Sequence, residues 1–170
     1  MTRYIALLRA VNVGGTGKLP MADLKSICED LRFARVETYI ASGNVVFESK
    51  AAPSKVKAEL EARLLEYAGK PVGVMVRTAE EMRAVLTANP FRDGEAKHTY
   101  AIFLDHRPPH DALTHVSGQS QEKASLGDRE IFVHYPSGMG RSKLKIPAAK
   151  TGTARNMNTV AKLAEMASKP

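Results

Sequence analysis

Apolar and polar positions along this chain change period several times, and each change marks an element. Residues 2–9 (TRYIALLR) read as a strand with apolar side chains on both faces, as a strand in the middle of a sheet has. A polar, glycine-rich connection follows. Pro20 suits the first turn of a helix, where its missing N–H removes no bond. Leu24, Ile27, Cys28 and Leu31 then repeat at helical spacing. Two short strands at 35–41 and 45–48 flank Ser42-Gly43-Asn44, a tight-hairpin signal. Pro53 opens a second helix whose buried stripe is Val56, Leu60, Leu64 and Ala68, and Gly69 ends it. A strand at 72–76 completes the order β-α-β-β-α-β, the split β-α-β pattern of a ferredoxin-like sheet.

The second half predicts a similar series. A helix at 79–88 ends before Asn89-Pro90, because the residue preceding proline avoids the helical region. A strand at 100–104, a short helix near 110–116 and strands near 122–126 and 130–135 follow. A short helix near 142–149, interrupted by Pro147, and a final helix at about 156–167 close the chain. The fold class is therefore α+β: a ferredoxin-like β-α-β-β-α-β first half, a similar β-α-β-β-α second half without the last strand, and a C-terminal helix. The expected division is a ferredoxin-like subdomain over 1–78 and a second α/β subdomain with the C-terminal helices over 79–170, sharing one compact unit.

Composition narrows the class. The chain has 170 residues and one cysteine, which excludes a disulfide framework and a cysteine-cluster zinc site. No apolar run approaches the ~20 residues that span a bilayer, and the N-terminus lacks a cleavable-leader pattern. A cytoplasmic protein with no membrane association is expected. The net charge of +7 is unevenly spread: residues 136–170 carry seven Lys/Arg against Glu165 alone. Such an excess attracts anionic partners without naming them.

In a split β-α-β unit the first two strands run parallel with the third between them. The loop after the first strand therefore lies beside the hairpin after the second. This places Arg9, Asn12, Gly14, Gly15 and Lys18 near Ser42 and Asn44. A glycine-rich loop leading into a helix offers unpaired N–H groups to an anion. Arg9 and Lys18 add charge, while Asn12, Ser42 and Asn44 add directional bonds. The same residues also suit a plain turn and hairpin. The glycine spacing matches neither phosphate-loop nor dinucleotide fingerprints, so no cofactor is expected. A second polar cluster, with Arg155, Asn156 and Thr159, precedes the last helix, where Thr153 or Asn156 suits an N-cap. Neither cluster contains Cys, His, Asp or Glu, which favours binding over catalysis. His106, His110 and His115, near Asp105 and Asp111, lack the regular spacing of a metal site, and none is expected. The basic segment 136–170 has no aromatic residue on which bases could stack.

The segments Tyr4-Ile5-Ala6-Leu7-Leu8-Arg9-Ala10-Val11-Asn12-Val13-Gly14-Gly15, Lys18-Leu19-Pro20-Met21 and Thr38-Tyr39-Ile40-Ala41-Ser42-Gly43-Asn44-Val45-Val46-Phe47 resemble the bacterial family called domain of unknown function 1697. Asn89-Pro90-Phe91 and the run from Thr153-Ala154-Arg155-Asn156 to Leu163 are similar to it as well. Met157 stands where the family's closing motif has an aromatic. The resemblance implies an α+β fold with ferredoxin-like halves and supplies no activity or catalytic residues. The polar segments and the family segments coincide, and the two clusters are expected to converge into one cationic site. The expected ligand is a phosphate-bearing anion, either a small metabolite or a nucleic-acid backbone. The alternatives are an enzyme acting on a phosphorylated substrate and a protein-interaction module. Oligomeric state is not encoded in these patterns.

Overall fold

Two four-stranded antiparallel sheets, each with its own core, form the scaffold of this computed structural model, which describes residues 1–13 and 18–170. The chain divides into two units, Met1–Met82 with Leu163–Pro170, and Arg83–Lys162.

In the first unit the elements run β1 (Thr2–Leu8), α1 (Met21–Asp30), β2 (Ala34–Thr38), β3 (Asn44–Ser49), α2 (Pro53–Ala68) and β4 (Val74–Thr78). The strand order is β2-β3-β1-β4, so the apolar strand β1 lies inside the sheet, as its two-faced pattern requires. Leu24, Ile27 and Cys28 of α1 and Val56, Leu60 and Leu64 of α2 form one core with Tyr4, Ala6, Leu8, Val45 and Phe47 of the sheet. Phe33 stacks on Phe47 at 4.4 Å, and the Tyr4 hydroxyl donates to the Ala51 carbonyl at 2.7 Å. Gly69 takes the left-handed conformation (φ 71°) that ends α2, its N–H donating to the Leu65 carbonyl. Helix α3 (Ala79–Ala88) leads onward from β4.

In the second unit the strands are β5 (Thr99–Phe103), β6 (Lys123–Leu126), β7 (Glu130–His134) and β8 (Thr153–Asn156), ordered β6-β7-β5-β8, and helix α4 (Met157–Ala167) follows. Its core is Ile102, Leu104, Ile131, Val133, Tyr135 and Ile146. The connections predicted as helices near 110–116 and 142–149 hold only single 3-10 turns, at Ala112–His115 and Pro147–Ala149, and a further 3-10 turn at Met139–Arg141 precedes the second. Both stretches are short, and prolines at 108, 109 and 147 deny them a cooperative helix. The second half also has its fourth strand, β8. It escapes a hydrophobic pattern because its two buried residues, Thr153 and Arg155, are polar.

With β8 in place the two units correspond residue by residue. Ile5 faces Arg77 across the β1–β4 pair, and Ala101 faces Arg155 across β5–β8. Both arginines are buried, and each donates from Nη1 to the carbonyl preceding it, Val76 at 3.0 Å and Ala154 at 2.9 Å. The residue after each caps a helix. Thr78 Oγ1 accepts from the Glu81 N–H while the Thr78 N–H donates to Glu81 Oε1, and Asn156 Oδ1 accepts from the Thr159 N–H. The buried polar residues Asn44 and Glu130 stand opposite Leu7 and Phe103. The Leu8 and Leu104 N–H groups donate to the carbonyls just ahead of those polar residues, Gly43 and Arg129. The two halves thus share one sheet arrangement with polar residues at matching registers.

Candidate anion-binding cavity

The edge where β1 ends is built by local rules. Beyond Leu8 the chain turns through Ala10 and Asn12, each at φ 55°, a region that asparagine tolerates better than most residues. Asn12 Nδ2 donates to the carbonyls of Leu19 and Ala41, both at 2.8 Å, and Oδ1 accepts from the Leu19 N–H at 2.7 Å. One side chain thus joins residue 12 to Leu19 and ties both to the β2–β3 connection. There Asn44, fully buried, donates from Nδ2 to the Tyr39 carbonyl (2.9 Å) and to Ser42 Oγ (2.8 Å). Gly43 sits at φ 90°, and a Cβ on it would lie 2.6 Å from Val11 Cγ2 and 3.0 Å from Leu8 Cβ. Only glycine fits both the conformation and the space.

Beside this scaffold lies a cavity of about 260 Å³ with an apolar floor of Val11, Leu19, Leu64 and Val72. Lys18, Tyr67 and Lys70 join Ala10 and Ala68 in the rest of its lining, and neither lysine has an ion-pair partner among the described residues. The Tyr67 hydroxyl donates to Asp23 Oδ2 at 2.6 Å, and that bond, more than burial, raises its pKa. The positive start of α1 and the negative end of α2 both approach, so the helix dipoles oppose, and Lys18 and Lys70 are the cations of the lining while Asp23 stands behind Tyr67. The lining described contains no carboxylate, histidine or cysteine.

Of the residues expected here from sequence, Arg9, Asn12, Lys18, Ser42 and Asn44 come to one edge. Lys18 alone lines the cavity. Arg9 gives its N–H to the Gly73 carbonyl, and its side chain runs past Gly73, with Cβ and Cδ 3.6 and 3.7 Å from where a Cβ would stand. Gly14 and Gly15 lie outside the described residues. Sequence reading missed Lys70 and Tyr67. The signal available was Tyr67 off the apolar stripe of α2 and a cation just past its Gly69 stop. Its meaning depends on α2 ending opposite the loop after β1.

A family model described as "Protein of unknown function (DUF1697)" matches residues 1–132. The chain belongs to this family. A solved structure described as that of conserved bacterial protein SP0830 from Streptococcus pneumoniae is similar over 98% of each chain, with a TM-score of 0.81 and 26% identity. A search of the curated proteins gives no match. The DUF1697 signature segments thus include the whole β1 edge with its Asn12, Gly43 and Asn44 scaffold. A third segment, Asn89-Pro90-Phe91, is a turn in which the Phe91 N–H donates to Asn89 Oδ1 at 2.9 Å.

The closing segment of the DUF1697 resemblance lies beyond the matched range and forms the β8–α4 junction. Arg155 is 6% exposed, and Nη1 also donates to Thr153 Oγ1 at 2.6 Å. Burial lowers its pKa to about 10. Asn156 caps α4 through the Thr159 N–H, and Thr159 is buried. These three residues therefore have structural partners within the second unit. His115 pairs with Asp111 at 3.4 Å, and no group of three or more His, Cys, Asp or Glu among the described residues is placed to hold a metal ion. No described helix is long and apolar enough to cross a membrane.

Proposed function

We propose that this protein is a cytoplasmic binding protein for a small phosphate-bearing metabolite with an apolar body, held in the first unit's cavity. The observation that carries the reading is the pairing of Lys18 and Lys70, both without ion-pair partners among the described residues, with an apolar floor. The lysines meet the phosphate as point charges, and Val11, Leu19, Leu64 and Val72 cover the body of the ligand. Asn12, Gly43 and Asn44 act through the backbone by fixing the loop that carries Lys18. The two lysines and the apolar residues support binding, and the one hydroxyl of the lining, that of Tyr67, is committed to Asp23.

Thermal unfolding against nucleotides, sugar phosphates, aryl phosphates and short oligonucleotides, at low and moderate salt, tests this reading. A ligand at a hundred times its Kd stabilises by about 2.7 kcal/mol, a shift of roughly 5–10 °C at this chain length. The expected result is a salt-tolerant shift from a small phosphate with an apolar group. A shift from oligonucleotides alone, lost as salt rises, would replace the metabolite with a nucleic-acid backbone. No shift from any compound would remove the binding reading.

A further inference from the structure

The second unit holds another cavity, of about 280 Å³, with the opposite character: its lining is mostly polar. Its walls are joined by one carboxylate. Glu122 Oε1 accepts from the Ser120 N–H and Oε2 from the Ser142 hydroxyl, both at 2.6 Å. The Ser142 bond first, then the Ser120 N–H, holds this carboxyl below its usual pKa, so Glu122 is an anion that locks residues 120–122 to residue 142. Ser142 is committed to the wall as well, since its oxygen accepts from the Leu144 N–H at 3.1 Å. That geometry does not make it a nucleophile, because a low-pKa carboxylate is a weak base and the serine oxygen is already bonded.

Four other side chains on the lining keep their hydrogen-bonding capacity. The Tyr135 and Ser137 hydroxyls, the Gln121 amide and the Arg141 guanidinium have no partner among the described residues. The Tyr135 ring is fixed by an edge contact with Tyr100 at 5.6 Å. Four sets of donors, one of them cationic, therefore face a space shared with one carboxylate that can accept further bonds. Arg141 and Glu122 cancel in net charge, which disfavours a bare multivalent anion. A molecule with one anionic group for Arg141 and hydroxyls that donate to Glu122 satisfies both. At ~30 Å³ per water, the volume suits a ligand of about ten non-hydrogen atoms.

We propose that this cavity is a second ligand site, which takes a small hydroxylated oxyanion: a polyol phosphate or a polyhydroxy acid. Arg141 and Tyr135 hold the oxyanion, Ser137 and Gln121 donate to ligand oxygens, and Glu122 accepts from the hydroxyls. This site is independent of the first unit's cavity in residues and in ligand chemistry.

The test is an amide chemical-shift titration of the full chain with glycerol 3-phosphate and, separately, erythronate, which distinguish phosphate from carboxylate as the anionic group. Glycerol and inorganic phosphate are the controls. Saturable shifts centred on Gln121, Ser137 and Arg141 are expected from at least one of the two hydroxylated anions, with both controls at least tenfold weaker. Arg141→Gln should weaken binding at least tenfold and Tyr135→Phe severalfold, with unchanged melting, while a Lys18→Gln/Lys70→Gln variant should bind as the parent does. The proposal is overturned if neither anion saturates the parent at millimolar concentration, if inorganic phosphate binds equally well, or if Arg141→Gln has no effect. Binding that disappears in the lysine variant overturns it too, and would assign the signal to the first cavity.

Discussion

Arg155 carries its charge into a nearly closed environment, and burial lowers its pKa well below that of a solvated arginine, to about 10. That difference is about 3 kcal/mol against a solvated arginine, offset by bonds to Thr153 Oγ1 and the Ala154 carbonyl. The folded pKa lies below the unfolded one, so the cost is complete at neutral pH and fades only as pH rises above about 10 toward the ordinary arginine value. Arg155→Ala opens a cavity and leaves acceptors unpaired. It should lose roughly 2–4 kcal/mol in urea unfolding. Arg155→Met refills the space without the charge and should lose at least about 1 kcal/mol less. Equal stability of the alanine variant and the parent would refute the packed role. Cys28 shifts the other way: burial foremost pushes its thiol from 9.0 up to about 12. It stabilises the fold below pH 9, and that contribution is lost as pH rises toward 12, so Cys28→Ala should flatten the alkaline decline. At pH 8 a thiol-exchange reagent should modify native Cys28 at least a hundredfold more slowly than the urea-unfolded chain. Fast native labelling would contradict a closed α1 stripe.

Between residue and fold stands the connection from β1 to α1, where Asn12 makes three bonds with one amide. Asn12→Ala should cost about 2–3 kcal/mol and weaken ligand binding further than the lost stability alone, because Lys18 loses its anchored base. Wild-type affinity in a folded Asn12→Ala chain would remove Asn12 from the account. Most elements were legible in the sequence because their buried residues are apolar and evenly spaced: Leu24, Ile27 and Cys28 of α1, Val56, Leu60 and Leu64 of α2, and both faces of β1. Strand β8 was not, because Thr153 and Arg155 are its buried residues. The short stretches near Pro108-Pro109 and Pro147 read as helices but hold too little chain for more than a 3-10 turn. In the cavity, Lys18 was legible from its place after a glycine-rich loop. Lys70 was not, since only the tertiary arrangement of α2 against that loop gives it a role.

Taken whole, the chain repeats one architectural solution and differs in what each copy presents. The strand orders match, the buried arginines Arg77 and Arg155 occupy matching registers, and both fourth strands run into capped helices. The first copy has long helices around a cavity with an apolar floor and two lysines, whereas short turns in the second leave a polar cavity. The basic excess over 136–170 lies outside the first unit's cavity lining, so salt should reduce nonspecific attraction to the chain more than it reduces specific binding at Lys18 and Lys70. The most direct measurement is a calorimetric titration of phenyl phosphate, an apolar ring bearing a phosphate, into the parent and into Lys18→Gln/Lys70→Gln. The account expects a saturable exchange with the parent and at least tenfold weaker binding, at unchanged melting temperature, with the double variant. Equal affinity for the two proteins, or no saturable binding to the parent, would contradict it.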